Sequence, residues 1–276
     1  MNGLRHGPKM RTFRAIARDH GRIAGMTIVN KPLESLPSRR VVCQGMASLL
    51  AVTASRSFAR QDTVHYRRGP PSADGIGKVY MGREIAGVMG WQGAAWLERE
   101  EREREERTDL LLRELRLSPG MNVADVGAGT GYYARRIAPL VAPGGTVFAV
   151  DVQPEMIRML QDLVAHAGLA NIRPVLGTER DSKLAPSSVD LVLLVDTYHE
   201  LEFPFEVMDS VVQALRPGGR VVLVEYRAED AKVPIKSLHK MSEAQVRREM
   251  APHALAYERT AHTLPWQHVI FFRKRA

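Results

Sequence analysis

A short apolar segment that leads into three closely spaced glycines most constrains what this chain can fold into. Residues 123–132 read Val-Ala-Asp-Val-Gly-Ala-Gly-Thr-Gly-Tyr, so Asp125 precedes a G-x-G-x-G loop made by Gly127, Gly129 and Gly131. The apolar run predicts a buried strand, and the segment after the loop predicts a helix. Glycines suit a loop that turns sharply and lets a ligand approach the backbone, because a Cβ would clash there.

A second apolar run, residues 146–150, follows that helix and ends in Asp151. Consecutive parallel strands have adjacent carboxyl ends, so we expect the glycine loop and Asp151 to lie side by side. This arrangement is typical of nucleoside binding, in which a carboxylate accepts hydrogen bonds from the ribose hydroxyls. Asp151 could alternatively cap the helix predicted from Pro154. We favour ribose binding because Asp151 is the last residue of its strand.

These two motifs resemble those of the class I S-adenosylmethionine (SAM)-dependent methyltransferases. In a dinucleotide fingerprint, G-x-G-x-x-G, the third glycine comes one position later, where this chain has Tyr132. The resemblance therefore implies SAM rather than NAD as the cofactor, with an acid before the loop helping to hold the ammonium group. The implied cofactor-binding residues of the two motifs are Asp125, Gly127, Ala128, Gly129, Gly131, Asp151, Val152 and Met156. A SAM-binding protein without transfer activity and a NAD-dependent oxidoreductase are the alternatives.

A third motif is less regular. Members of this family commonly carry an acid after a glycine at the end of the third strand, where it contacts the adenine amino group. This chain reads Gly-Thr-Glu-Arg-Asp over residues 177–181. The adenine contact is therefore assigned either to Thr178 or to Asp181, and Asp181 could equally be an ordinary loop residue.

The fourth motif is unusually polar for the end of a buried strand: residues 194–201 read Leu-Val-Asp-Thr-Tyr-His-Glu-Leu. Open α/β sheets bind ligands at the carboxyl ends of their strands, so Asp196 and His199 are predicted to lie where the SAM methyl meets its acceptor. Asp196 is also counted among the cofactor contacts. His199 could act as a general base near neutral pH, or it could be a hydrogen-bonded structural residue. Glu225 and Tyr226 are candidate pocket walls.

Histidine and acidic side chains show no ligand spacing on one face apart from the neighbourhood of His199 and Glu200, so no metal site is predicted. His239 could reach the acceptor, although a solvated loop histidine is the favoured interpretation. Transfer is expected to be in-line attack on the sulfonium methyl, to which the protein contributes alignment and exclusion of water.

Strands and helices alternate regularly from residue 110 to the end. The alternation predicts right-handed crossovers and a parallel sheet that is covered on both faces. The expected fold is a doubly wound, mostly parallel, seven-stranded sheet of the Rossmann-like methyltransferase type, over residues 110–276. Residues 60–79 are Gly/Pro-rich and are predicted to be a linker. Residues 80–109 are predicted to be a helical lid, whose alternating acids and bases at 98–107 suit a solvated helix.

Charge is distributed unevenly along the chain, whose net charge is +8. Residues 1–59 hold ten Lys and Arg against two acids, and the remaining residues hold 29 of each sign. The folded part is therefore not expected to bind nucleic acid, and the acceptor is predicted to be a small molecule.

The first 59 residues form a basic leader. Arg39 and Arg40 precede a modest apolar stretch and then Ser-Phe-Ala at residues 57–59, an order that resembles a twin-arginine export signal. Export to the periplasm is one expectation; the other is a cytoplasmic protein whose leader is disordered or whose start codon is misassigned. No transmembrane segment is expected, because the apolar stretch is too short and too interrupted. Cys43, the chain's one cysteine, lies in the leader, so cleavage of the leader would leave no cysteine for disulfides, catalysis or metal binding.

Overall fold

The computed structural model describes residues 65–276; the leader, and with it the predicted export signal, lies outside the described residues. Ten strands and seven α-helices follow one another along the described chain. The strands are β1 (Tyr66–Arg68), β2 (Gly75–Tyr80), β3 (Arg83–Ala86), β4 (Val123–Val126), β5 (Val147–Asp151), β6 (Ile172–Leu176), β7 (Val189–Val195), β8 (Leu215–Tyr226), β9 (Leu255–Ala261) and β10 (Gln267–Lys274). The helices are α1 (Ala94–Leu97), α2 (Arg102–Glu106), α3 (Thr108–Leu115), α4 (Ala134–Val141), α5 (Pro154–Ala167), α6 (Pro204–Ala214) and α7 (Glu243–Met250).

Seven strands form the main sheet in the order β6-β5-β4-β7-β8-β10-β9. The pairs among β6, β5, β4, β7 and β8 are parallel, and β10 is antiparallel to both of its neighbours. The predicted doubly wound, mostly parallel seven-stranded sheet is confirmed. From β4 the chain continues to β5 and β6 on one side and later to β7 and β8 on the other. This reversal of direction opens a crevice at the carboxyl ends of β4, β5 and β7.

Alternate residues of the buried strands supply two separate cores, one on each face of the sheet. Val123 of β4 belongs to one core, with α3, α4 and α5, and the next residue, Ala124, belongs to the other, with α6 and α7. Such continuous apolar strands are the pattern of a sheet that is covered on both faces. Burial in these cores accounts for the apolar residues of the strands. It does not account for the polar residues at the strand ends, which are therefore candidates for function.

The region before the main sheet differs from the prediction. Residues 66–86, assigned partly to a linker and partly to a helical lid, form a three-stranded antiparallel sheet, β1-β2-β3. The β2–β3 hairpin turns through Met81 and Gly82, which both have positive φ, as the favoured two-residue hairpin turn requires. The sequence did not predict this hairpin for two reasons. Met occupies the first turn position, where Asn or Asp is usual, and strands of three to six residues are too short to show a clear alternation of apolar and polar residues. The predicted helices begin only at residue 91.

A buried ion pair joins this small sheet to the main domain. The guanidinium of Arg83 donates to both carboxylate oxygens of Glu249 on α7, at 2.8 and 2.9 Å, and Glu249 is fully buried. Gln245 donates a further hydrogen bond to Glu249 at 2.7 Å. A third contact of Arg83 goes to the backbone carbonyl of His199, at 3.0 Å. Arg83 thus connects the hairpin both to α7 and to the loop that follows β7.

Among the described residues, no helix is long and apolar enough to cross a membrane.

Replacing Arg83 by Ala should destabilise the protein by about 3–5 kcal/mol, because the carboxylate of Glu249 would be left buried without its partner. The matched control is Arg158→Ala, which removes the exposed Arg158–Glu155 pair on α5 and should cost less than about 1 kcal/mol. Urea unfolding followed by circular dichroism measures both values. Equal losses in the two variants would contradict the structural role of the Arg83–Glu249 pair.

Candidate functional site

The carboxyl ends of β4 and β5 meet as the sequence predicts. Asp151, the last residue of β5, accepts a hydrogen bond from the backbone N–H of Gly129 at 2.9 Å and another from Gln153 N–H at 2.9 Å. The two bonds fall on different carboxylate oxygens, and a carboxylate has about four acceptor sites, so it keeps acceptor capacity for a ligand. Burial raises the pKa of Asp151, although the backbone N–H donors act in the opposite direction. Asp151 therefore both orders the glycine loop and presents acceptors to the cavity beside it.

The three glycines of the loop have positive φ angles, +78° at Gly127, +55° at Gly129 and +86° at Gly131, but different neighbours. A Cβ on Gly127 would lie 2.3 Å from Thr197, and one on Gly129 would lie 2.7 Å from Leu97. Both glycines line the cavity, together with Ala128.

Gly131 has another role, because a Cβ there would lie 2.7 Å from Leu163 and 2.8 Å from Leu160 on α5. It is not among the residues that line the cavity. Gly131 thus allows close packing of the loop against a helix, and its part in cofactor binding stays a prediction.

Two buried carboxylates border the cavity with an oxygen that has no hydrogen-bond partner among the described residues. These oxygens are Oδ2 of Asp125, at the end of β4, and Oδ1 of Asp196, directly after β7. Burial raises the pKa of Asp125 to about 7, against the opposing charge of Arg102. An unpartnered buried carboxylate is costly, so a donor from a ligand would relieve it. A cationic ammonium group fits this position.

Asp196 has a strained backbone conformation, with φ of +48°. Its Oδ2 accepts a hydrogen bond from Gln267 Nε2 on β10 at 2.7 Å, which fixes the side chain. Burial, with the nearby charges of Glu106 and Glu225, raises the pKa of Asp196 well above its usual range. Non-glycine residues with positive φ are often found at functional sites, where the surrounding structure holds them.

Residues that follow β5 add apolar side chains to the cavity wall. Val152 and Met156 both line it, and so does Thr178 in the turn after β6. Asp181 also borders the cavity, but its two carboxylate oxygens accept hydrogen bonds from the backbone N–H and the Nζ of Lys183, at 2.8 and 2.7 Å. Lys183 accordingly lowers the pKa of Asp181. The other candidate for the adenine contact, Thr178, has weaker partners: its Oγ1 accepts from the N–H of Arg180 at 3.3 Å and donates to the carbonyl of Asp181 at 3.5 Å.

Residues 89–91 cross from one side of the cavity to the other. The side-chain amide of Gln153 accepts a hydrogen bond from the N–H of Trp91 at 2.8 Å and donates one to the carbonyl of Met89 at 3.0 Å. On the far side, the N–H of Met89 donates to Oε2 of Glu200 at 3.1 Å. This segment therefore links the cofactor loop of β5 to the loop after β7.

The charged run at residues 98–107 does not form the solvated helix that was predicted. Arg102 and Glu106 are buried and paired with each other at 2.9 Å, and Arg102 lines the cavity. Glu98 pairs with Arg135 instead of Arg102. The physical reason is that Arg102 packs its guanidinium over the ring of Tyr132, 4.0 Å from the ring centre, directly after the glycine loop. An alternating run of acidic and basic residues does not by itself predict which of its ion pairs will be buried.

The loop after β7 brings together four polar side chains. Nδ1 of His199 lies 2.6 Å from Oε2 of Glu225, so this nitrogen donates to a carboxylate that can only accept. Nε2 of His199 then faces Nδ1 of His239 at 3.2 Å, and His239 Nδ1 lies 3.3 Å from Oε1 of Glu200. His199 is almost completely buried, whereas His239 and Glu200 are partly exposed, and all three line the cavity.

The prediction of no metal site stays a prediction, but three side chains at this cluster have a geometry that could hold an ion. His199, Glu200 and His239 offer three ligand atoms that lie within 4.8 Å of one another. His239 is 40 residues from His199 along the chain, in the loop before α7. Spacing along the sequence could not reveal this set, and the interpretation of His239 as a solvated loop residue is wrong, because it belongs to the cavity wall.

Sequence reasoning missed three further residues that shape the site: Arg102, Ser182 and the cavity-spanning segment at Met89. Ser182 is buried and its backbone N–H donates to Ser210 on α6 at 3.0 Å. The cavity as a whole measures about 730 Å³. Cofactor candidates line one part of it, and the cluster of His199, Glu200 and His239 lines another.

Comparisons with known proteins agree with this geometry. A model of the methyltransferase domain family matches residues 117–267, more than half of the chain. An uncharacterised methyltransferase of Mycobacterium tuberculosis is 40% identical over 102 residues, 37% of this chain and 38% of that protein. An arsenite methyltransferase of Halobacterium salinarum is 34% identical over 107 residues, 39% of this chain and 27% of that protein. The matched region spans less than half the length of these relatives.

Among solved structures, a SAM-dependent methyltransferase from Aquifex aeolicus superposes with a TM-score of 0.64 at 22% identity. The match covers 68% of this chain and all of that one, and it shows a shared fold. The family match, the sheet order and the cavity at the carboxyl ends of β4, β5 and β7 converge on one assignment. This chain belongs to the class I SAM-dependent methyltransferase family, and its cofactor is SAM.

Proposed function

We propose that this chain transfers the methyl group of SAM to a small-molecule acceptor that binds beside His199. The observation that carries the proposal is the composition of the cavity wall. Carboxylates suited to an adenosine and an ammonium group lie at the ends of β4 and β5, and an acid–histidine cluster lies at the end of β7. SAM supplies an electrophilic methyl group bonded to a sulfonium centre.

The cofactor half of the proposal assigns one role to each carboxylate. Asp151 accepts hydrogen bonds from the ribose hydroxyls, since its carboxylate keeps acceptor capacity and borders the cavity. Asp125, with its unpartnered oxygen, receives the ammonium group of the methionine moiety. Val152 and Met156 pack near the adenine, and Thr178 offers a polar contact to it. Asp196 follows β7 and lines the same cavity, so its carboxylate is placed near the bond between the sulfonium and the methyl group.

A small acceptor is favoured by the dimensions and the charge of the site. Pockets for small ligands typically measure about 300–1,000 Å³, and this cavity of about 730 Å³ falls within that range. The segment at residues 89–91 crosses its wall, which restricts access for a macromolecule. The chain after the leader carries no net charge, so an anionic polymer has little electrostatic attraction to it.

His199 is the proposed residue for acceptor chemistry. Glu225 holds the Nδ1–H of its ring, which leaves the Nε2 lone pair at the cavity wall. A histidine held this way can accept a proton from an acceptor hydroxyl or amine as the methyl is transferred. The same carboxylate orients the ring. Exclusion of water and alignment of the acceptor supply the remaining catalysis.

Relatives that the chain resembles have different names: an arsenite methyltransferase, a protein-L-isoaspartate O-methyltransferase and a ubiquinone/menaquinone biosynthesis C-methyltransferase. These names assign no acceptor to this chain, because the matched region spans less than half the length of each relative. Export to the periplasm remains a proposal that rests on the leader alone. A protein that binds SAM without transferring its methyl group is the second candidate, favoured only by that leader.

Asp151→Asn should weaken SAM binding by a few kcal/mol at most, because an amide can accept at only one of the two positions and carries no charge. Isothermal titration calorimetry with SAM and with S-adenosylhomocysteine measures the change. Asp162→Asn, an exposed substitution on α5, is the matched control and should bind as the unmodified protein does. Unchanged affinity in Asp151→Asn would remove Asp151 from the site.

SAM affinity should rise as the pH increases toward about 7, because an ammonium group binds the ionised form of Asp125, whose pKa is about 7. Displacement of one proton predicts up to about a tenfold gain per pH unit below that pKa. In the free protein the same raised pKa means that stability falls as the pH rises from about 4, the usual Asp pKa, to 7.

Titrations between about pH 5.5 and pH 7.5 test this dependence. Asp125→Asn should bind SAM more weakly and lose most of the dependence, which separates Asp125 from other titrating groups. An affinity of the unmodified protein that stays flat over this range would show that Asp125 does not meet the ammonium group.

His199→Ala should lower turnover about 10²–10⁴-fold if proton removal from the acceptor limits the rate. SAM affinity should change little, because His199 lies on the acceptor side. Formation of S-adenosylhomocysteine over a panel of small hydroxyl and amine acceptors measures turnover, with exposed His262→Ala as the control. Equal turnover in both variants on every active acceptor would make His199 a structural residue.

A further inference from the structure

We propose that His199, Glu200 and His239 form a binding site for one divalent transition-metal ion, with zinc as the ion whose geometry fits best. The site goes beyond methyl transfer, since a metal can bind here without cofactor or acceptor. Two imidazole nitrogens and one carboxylate oxygen are a ligand set that zinc uses when a fourth position stays open.

The distances among the three ligand atoms fit a tetrahedral ion. Nε2 of His199 lies 3.2 Å from Nδ1 of His239, which lies 3.3 Å from Oε1 of Glu200; the third side of the triangle is 3.8 Å. Zinc bound at 2.0–2.1 Å places neighbouring ligand atoms about 3.3–3.4 Å apart in a tetrahedron. Only the longest side must shorten, by a few tenths of an ångström.

Two of the three ligands are already oriented by other groups. Glu225, fully buried on β8, accepts from Nδ1 of His199 and so directs the Nε2 lone pair toward the cluster. The N–H of Met89 donates to Oε2 of Glu200, which leaves Oε1 facing the histidines. A carboxylate that holds the far nitrogen of a ligating histidine is a regular feature of metal sites.

Without an ion, the cluster has an imperfect hydrogen-bond arrangement. Nδ1 of His239 carries at most one hydrogen, yet it faces both the lone pair of His199 Nε2 and Oε1 of Glu200. A cation at the centre of the three atoms would satisfy all of them together.

The open coordination position would face the cavity, because all three ligands line it. A metal there takes the Nε2 lone pair of His199, so the metal and a proton compete for one atom. An acceptor hydroxyl bound to the metal would lose its proton more readily, since a metal ion lowers the pKa of a coordinated oxygen. With an ion bound, His199 would serve as a metal ligand, and its role as the base proposed above would apply to the protein without the ion.

The test measures zinc binding directly on the full chain. Protein stripped with EDTA is titrated with zinc chloride against a chromophoric chelator, and zinc retained after desalting is counted by mass spectrometry. We expect one zinc ion per chain. His239→Ala and the isosteric Glu200→Gln should each lower zinc affinity at least about 100-fold, and Glu225→Gln about 10–100-fold. Exposed His262→Ala is the matched control and should retain the ion.

Thermal melting and SAM titration of each variant separate loss of the site from loss of the fold. If His239→Ala is unstable, the zinc affinity of Glu200→Gln tests the site instead. Glutamine keeps an acceptor for the N–H of Met89 but removes the charged ligand. Zinc affinity in Glu200→Gln equal to that of the unmodified protein would overturn the site, as would failure of the unmodified chain to retain zinc. Normal SAM binding alongside either result would leave the methyltransferase assignment intact.

Discussion

The site depends on the reversal of strand order at β4. Because β5 lies on one side of β4 and β7 on the other, the loops that leave these strands diverge and open a crevice between them. Parallel register brings Asp125, Asp151 and Asp196 to the same edge of the sheet. Asp125 and Asp151 are among the last residues of buried apolar strands, and Asp196 directly follows another. Precise placement of polar groups thus follows from burial of their apolar neighbours.

Concentrating charge at that edge has an energetic cost. Asp125 and Asp196 are buried with raised pKa values, and Glu106 lies nearby with Arg102 as its partner. The charge of Arg102 opposes the rise in the pKa of both aspartates, so one guanidinium favours the ionised form of three acids. A cationic ligand would add a second positive charge beside the buried aspartates. The arrangement explains why a cavity with so many acids would select a sulfonium cofactor with an ammonium group.

The sequence predicted the sheet and the cofactor carboxylates because their signals are local. Asp125 and Asp151 each end an apolar run, and a strand followed by a glycine loop is readable without knowledge of the rest of the chain. The hairpin around Met81 gave no such signal, because its strands are short and its turn lacks the usual residues. Arg102 packs over the ring of Tyr132, and His239 contacts His199. These partners are distant in sequence, so only the fold reveals the roles of the two residues.

The central claim is that the crevice at β4, β5 and β7 binds SAM with a defined orientation. A crystal structure of the protein with S-adenosylhomocysteine tests it most directly. The account predicts both ribose hydroxyls on the carboxylate of Asp151, the amino group within hydrogen-bond distance of Asp125, and the sulfur on the side of Asp196 and His199. Adenosine bound away from Asp151, or a sulfur atom remote from His199, would contradict it.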